Sequence, residues 1–188
     1  MNKLRLPVSL IFLIAAGIFI QSCNKDTVSA TAYTTAAFQA NINGTTWAPD
    51  TVSTTVNYNA GAKTKTLMCS GTQGQKQVIF SVTVPVASGT PGFPLATYNV
   101  DGNLVQAQFN TQQLSNGNYV FLPHGTIAAG AGQVVVTAVD SVKKTITGTF
   151  NFYSRSTLYD GMGNVISTTV DNITGGTFTA TPYVFTSN

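Results

Sequence analysis

The residues that could do chemistry are few. His124 is the only histidine and no Glu occurs, which excludes two-His metal sites and H-E-x-x-H arrangements. Paired-carboxylate catalysis would have to draw on the six Asp. Of these, Asp50, Asp101, Asp140, Asp160 and Asp171 fall at predicted turns or strand ends, where a short carboxylate is favoured for bonding the backbone. A Ser-His-Asp hydrolase would use His124 as base, but no G-x-S-x-G elbow is present. Cys69 is the other nucleophile to weigh with His124. It follows Leu67 and Met68 in a predicted strand, where a free thiol reads as a small core residue. A hydrolase therefore requires His124 within hydrogen-bond reach of Cys69, or of a Ser and an Asp. Asp101 with Asn103, and Asp160 with Asn164, could gather oxygen ligands around Ca²⁺, although neither run has EF-hand spacing and both read first as hairpin turns. No other cofactor is expected. Aromatic rings are the remaining resource, since Tyr and Trp can stack on sugars or anchor a protein partner. Trp47 follows a hairpin turn closely and reads first as a ring closing a core, while Tyr153 and Tyr159, flanking a 154–164 loop, are the candidate exposed ligand contacts.

What must position these groups is a set of strands. Side chains alternate with a period of two, the signature of a strand with one buried face. Val52, Thr54, Val56 and Tyr58 form one such face, Val78, Phe80, Val82 and Val84 another, Val105, Ala107 and Phe109 a third, and Ile146, Phe150 and Phe152 a fourth. Val134 to Val139 is more continuously apolar and predicts a central strand buried on both sides. Asn43-Gly44, Asp101-Gly102, Asn116-Gly117 and Asp160-Gly161 supply the positive φ angles of tight turns. Strands are predicted over 38–42, 45–48, 51–58, 64–70, 77–84, 95–99, 104–111, 117–122, 133–140, 145–153, 165–170 and 176–185. The Pro- and Gly-rich 85–94 segment is a surface loop, and 124–132, rich in Gly and Ala, is a candidate mobile loop. This is an all-β antiparallel β-sandwich, with a closed or flattened up-and-down barrel as the alternative.

The N-terminus has a different composition. Lys3 and Arg5 precede an apolar run from Leu6 to Ile20, too short to span a bilayer comfortably, which needs about 20 apolar residues, and matching a cleaved signal peptide over 1–22. Ile20-Gln21-Ser22-Cys23 resembles a lipobox. The resemblance implies a lipoprotein acylated on Cys23, and two or more acyl chains hold a protein stably at a membrane. Lys25 and Asp26, just beyond it, resemble part of a surface-export signal of Bacteroidota lipoproteins; the resemblance implies the cell envelope and the outer membrane, with display on its exposed face as a refinement. Residues 23–37 then form a flexible tether, and 38–188 one domain of the commonest size. Removing Lys3 and Arg5 leaves seven of the nine basic residues against six Asp, so the mature surface is near neutral. With no clustered basic footprint, nucleic acid is excluded as a partner. An acylated Cys23 also leaves Cys69 without a disulfide partner.

Phe38-Gln39-Ala40-Asn41-Ile42-Asn43-Gly44-Thr45-Thr46-Trp47, then Gly148-Thr149-Phe150-Asn151-Phe152 and Gly176-Thr177-Phe178, resemble the F-x-A-x-I-N-G-x-x-W opening and the G-T-F-x-F and G-x-F closing strands of a Bacteroidota lipoprotein family of unknown function. These motifs are turns and core aromatics, so the resemblance implies a β-rich domain and no particular activity. With no catalytic constellation in view, the expected function is a non-catalytic binding or adhesion module for glycan or protein, held at the membrane by its lipid. The alternatives are a carrier of small apolar ligands inside a β-barrel and a structural component of an envelope assembly.

Overall fold

The structure, a computed structural model, describes residues 37–188; the expected signal peptide, Cys23, Lys25, Asp26 and all but the last residue of the expected tether lie outside the described residues. Chain order gives β1 (Phe38–Ile42), β2 (Thr45–Trp47), β3 (Thr51–Asn59), β4 (Thr64–Gln73), β5 (Lys76–Pro85) and β6 (Ala96–Asn99). There follow β7 (Val105–Ser115), β8 (Asn118–Pro123), β9 (Gly132–Asp140), β10 (Thr145–Tyr159), β11 (Val165–Pro182) and β12 (Val184–Ser187). They form two six-stranded sheets, ordered β2-β1-β11-β10-β9-β6 and β12-β3-β4-β5-β7-β8. Every pairing is antiparallel except that of β12, which runs parallel to β3. Two separate sheets make a β-sandwich, and the barrel alternative is set aside.

The alternating faces meet between the layers. Phe38 and Phe178 of the outer motifs, Phe150 of β10 and Phe80 of β5 are essentially fully buried, with ring centroids 5.1 Å apart for Phe38–Phe150, 5.2 Å for Phe80–Phe150 and 5.4 Å for Phe80–Phe178. Each ring removes a large apolar area from water, and offset or tilted packing adds to that burial. Trp47 is 4% exposed and meets Phe38 edge-on, so it belongs to this core, as its place after the hairpin turn suggests. Gly71 on the facing β4 makes room for it: a Cβ there would stand 3.0 Å from the Trp47 ring and 3.1 Å from Phe38. The space between the sheets is thus filled by packed rings.

Asn43-Gly44 (φ 53° and 81°) and Asn116-Gly117 (φ 49° and 79°) carry positive φ at both central positions, the geometry of two-residue hairpins. Asp101-Gly102 differs from expectation. It lies where the chain crosses from β6 in one sheet to β7 in the other, so it is a corner and not a hairpin. The 85–94 loop is held by Lys65, whose buried Nζ donates to the carbonyls of Thr90 at 2.7 Å and Gly92 at 2.6 Å. Burial pulls that ammonium below its usual pKa.

Two further expectations are corrected. β9 lies next to an edge strand and buries Val134 and Val136 while Thr137 and Ala138 are exposed, so it has one buried face and not two. The strands predicted at 145–153, 165–170 and 176–185 are longer and joined differently: β10 continues to Tyr159, and β11 runs unbroken from Val165 to Pro182 before Tyr183 and β12. Beyond Ser154 these strands leave the sandwich as a two-stranded arm, exposed over most of its length, where no buried face imposes alternation.

Candidate functional site

The arm and the loop after β8 enclose a cleft. The 124–132 loop does not hang free; it docks on β10 where β9 has stopped. Thr126 and Arg155 form an antiparallel bridge, each amide donating to the other's carbonyl at 2.8 Å. Gly125 allows this approach. Its φ is +92°, and a Cβ there would stand 2.6 Å from the Arg155 carbonyl oxygen, so an L side chain is excluded by both conformation and space. The Ser154 hydroxyl donates to the His124 carbonyl at 2.6 Å, and Ala131, at the loop's far end, is buried and accepts from the Tyr153 amide at 3.0 Å.

A polar clasp fixes the loop from behind. Asp171, 5% exposed in the interior of β11, has both carboxylate oxygens engaged: Oδ1 accepts from Asn43 Nδ2 at 2.8 Å and Oδ2 lies 2.7 Å from His124 Nδ1. Facing a carboxylate, Nδ1 is the donating nitrogen. Charge-assisted bonds of this kind are the stronger class, and a buried carboxylate needs them. The Asn43 side-chain oxygen in turn accepts from the Asn172 amide at 2.8 Å, and the Asn43 amide donates to the Asn172 carbonyl at 2.9 Å. The His124 amide donates to the Phe109 carbonyl at 2.8 Å, and its ring stands edge-on to Phe109. One small network therefore ties the first hairpin, β11, β10 and β7 to the start of the loop.

In front of the clasp the cleft, about 380 Å³, is lined by Pro123, Gly125 and Thr126 on one side and Arg155, Ser156, Thr157 and Tyr159 on the other. Arg155 spends its backbone bonds on Thr126, and antiparallel ladders alternate bonded and non-bonded sides. Thr157, two residues on, therefore turns its N–H and C=O to the same side, past the end of the bridge and into the cleft. A second depression, about 260 Å³, lies across the Pro123–Thr126 strap and is bordered by Gln106, Gln108 and Phe109 of β7. The lining offers an aromatic plane, hydroxyls, a guanidinium and free strand-edge backbone, which is equipment for binding.

The expected site residues are placed as follows. Tyr159, 57% exposed, lines the cleft, and Tyr153 is exposed on the same strand just before the bridge. Both sit on strand β10, since the expected 154–164 loop is strand up to Tyr159, followed by a tight turn. Asp160 organises that turn: Oδ1 accepts from the Met162 and Asn164 amides and Oδ2 from Asn164 Nδ2, and these bonds, that of the Asn164 side chain first, hold its carboxyl below the usual range. Asp101 Oδ1 likewise accepts from the Asn103 and Val105 amides, and its carboxyl is held down by them, the Val105 amide most strongly. Both candidate Ca²⁺ pairs are thus turn caps that hold their own backbone, and no group of three or more His, Cys, Asp or Glu gathers among the described residues.

Asp171 corrects the expectation that it marks a turn or strand end, and it gives His124 the carboxylate partner a hydrolase would require. The nearby Ser154 does not complete that arrangement, because it is buried and donates to the His124 carbonyl, away from the ring. Cys69 is 1% exposed and bonded to Thr54 Oγ1 at 3.1 Å; burial pushes its thiol up to about 12, far from a nucleophilic thiolate. The residues missed from sequence are Arg155, Ser154, Asp171 and Asn43. Only once 154–159 is known to be strand does its period of two set Arg155 on the same face as Tyr153 and Tyr159.

A family model for a domain of unknown function, DUF6252, matches residues 34–182. The chain belongs to this family. The DUF6252 region takes in every strand but β12 and every residue of the clasp and the cleft, including the I-N-G turn whose Asn43 holds Asp171. No curated protein and no solved structure matches the chain.

Proposed function

We propose that this protein is an exported lipoprotein, acylated on Cys23 and displayed from the outer membrane, whose DUF6252 domain is a non-catalytic module that captures glycans in the cleft between the 123–126 strap and the β10 arm. One observation carries the reading: a prearranged recess that combines Tyr159, Arg155 and the hydroxyls of Ser156 and Thr157 on strand β10 with Thr126 on a strap held by the Asn43-Asp171-His124 clasp. Preorganised polar groups beside an exposed aromatic ring suit a ligand that is itself polar on its edges and apolar on its faces. The lipobox and the Lys25-Asp26 pair supply the anchor and the surface address.

The test uses the full-length chain in detergent on an oligosaccharide array, beside Tyr159→Ala. Binding that falls at least tenfold in the variant is the expected result; an array with no bound saccharide overturns the assignment. In cells, Cys23→Ala is expected to move the protein out of the membrane fraction. A second reading, a structural component of an envelope assembly, is favoured by the exposed apolar side chains Leu114 and Tyr119 on the β7-β8 hairpin and Leu158, Met162, Val165 and Ile166 on the arm. It predicts a stable protein complex that survives Tyr159→Ala.

A further inference from the structure

Resting on the reading of the cleft as a saccharide site, we propose that its ligand is an anionic saccharide whose carboxylate or sulfate is held by Arg155. Arg155 is the only charged residue lining the cleft. Among the described residues the acid–base side-chain contacts are His124 with Asp171 and Lys143 with Asp140, and none involves the Arg155 guanidinium. The two nearest carboxylates by sequence and register are committed elsewhere. Asp171 lies diagonally across the arm's ladder, opposite Ser154, and its two oxygens are taken by Asn43 and His124. Asp160 turns both of its oxygens into its own turn.

Arg155 is therefore a positive charge with a fixed backbone and an unclaimed fork. Its Cα is locked by the two bonds to Thr126, while the side chain stays exposed. A planar guanidinium recognises a carboxylate or sulfate through two parallel N–H donors. Tyr159 stands four residues farther along the strand, about 13 Å at the usual rise. That separation lets one sugar present its acid to Arg155 while a later ring stacks on Tyr159, with Thr157 N–H and C=O between them for hydroxyls.

The experiment is calorimetric titration of the full-length chain in detergent with three probes of equal length: hexagalacturonic acid, its neutral methyl ester, and a sulfated galactan hexasaccharide. The acid or the sulfated chain is expected to bind roughly ten- to a hundredfold more tightly than the ester, as one charge-assisted fork implies. That preference should shrink with added salt. Arg155→Gln is expected to bring the preferred probe down to the ester's affinity, and Arg155→Lys to restore only part of it. Whichever charged probe binds tells carboxylate from sulfate. Equal binding of ester and acid, with Arg155→Gln unchanged, overturns the anionic assignment and leaves the saccharide reading standing. If none of the three probes binds and the oligosaccharide array is also blank, both fall. Should Arg155→Gln not fold, the ester comparison and the salt series on the parent chain still decide.

Discussion

The body of the sandwich and the arm that extends from it are built from the same residue types, yet they obey different rules. In the body the central strands alternate, because one face must be apolar to fill the space between the sheets: Val78, Phe80 and Val82 point in while Gln77, Ile79 and Ser81 point out. In the arm, residues 155–170, neither face is covered, and Thr, Ser, Tyr, Val and Ile follow one another without a period. Both are equally good strands by hydrogen bonding. Alternation reports burial on one side and says nothing about whether a ladder forms. Stability is therefore concentrated in the body, while the arm has surface to offer.

The sharpest break of this contrast is Phe80→Ala in the body, expected to cost about 3–5 kcal/mol because it deletes a ring packed against Phe38, Phe150 and Phe178. Chemical denaturation would read it as a fall in midpoint with an unchanged slope.

Next comes an alkaline effect. The Cys69 thiol titrates near 12 in the folded body and near 9 when unfolded, so the folded state holds its proton more tightly. The associated stability is complete below pH 9 and is lost as pH rises from 9 to 12, on the order of 4 kcal/mol in all at about 1.4 per pH unit. Cys69→Ala is expected to flatten that part of the stability curve, and the native thiol should resist disulfide reagents until the chain unfolds.

Asp171→Asn, at the junction of body and arm, is expected to cost about 1–3 kcal/mol by weakening the bonds to His124 and Asn43. Amide exchange at Gly125 and Thr126 should accelerate while exchange in β4 and β5 stays slow. If the strap stays as protected as before, the clasp is not what holds it. The smallest effect belongs to the arm itself: Leu158→Ser, more than half exposed, should change stability by no more than about 0.5 kcal/mol. A loss comparable to Phe80→Ala would show that the arm is covered after all.

Much of the fold was legible in the residues. The alternating runs place the body strands to within a few residues, Asn43-Gly44 and Asn116-Gly117 mark two tight hairpins, and the aromatic motifs name the core. The β10 half of the arm was misread as part of a 154–164 loop because it has no buried face to betray it, whereas 165–170 was read as strand. Of the cleft, Tyr159 was legible as an exposed ring, but its companions were not. Asp171 was taken for a turn residue, since nothing in the run Val170-Asp171-Asn172 says that a histidine 47 positions earlier and an asparagine 128 positions earlier converge on it.

The sequence by itself determined an all-β antiparallel domain with a Phe-rich core, because binary patterning and turn chemistry are local; that its strands form two open layers and not a closed barrel came from the tertiary structure. The sequence also determined that catalysis has few residues to draw on, since composition needs no fold to be read. Tertiary structure alone decided which strands are neighbours, that β9 stops where the strap begins, and that Asn43, His124, Ser154 and Asp171 form one network. Such pairings are set by how two sheets close over a common core, and the energy that selects them is shared among residues far apart in the chain.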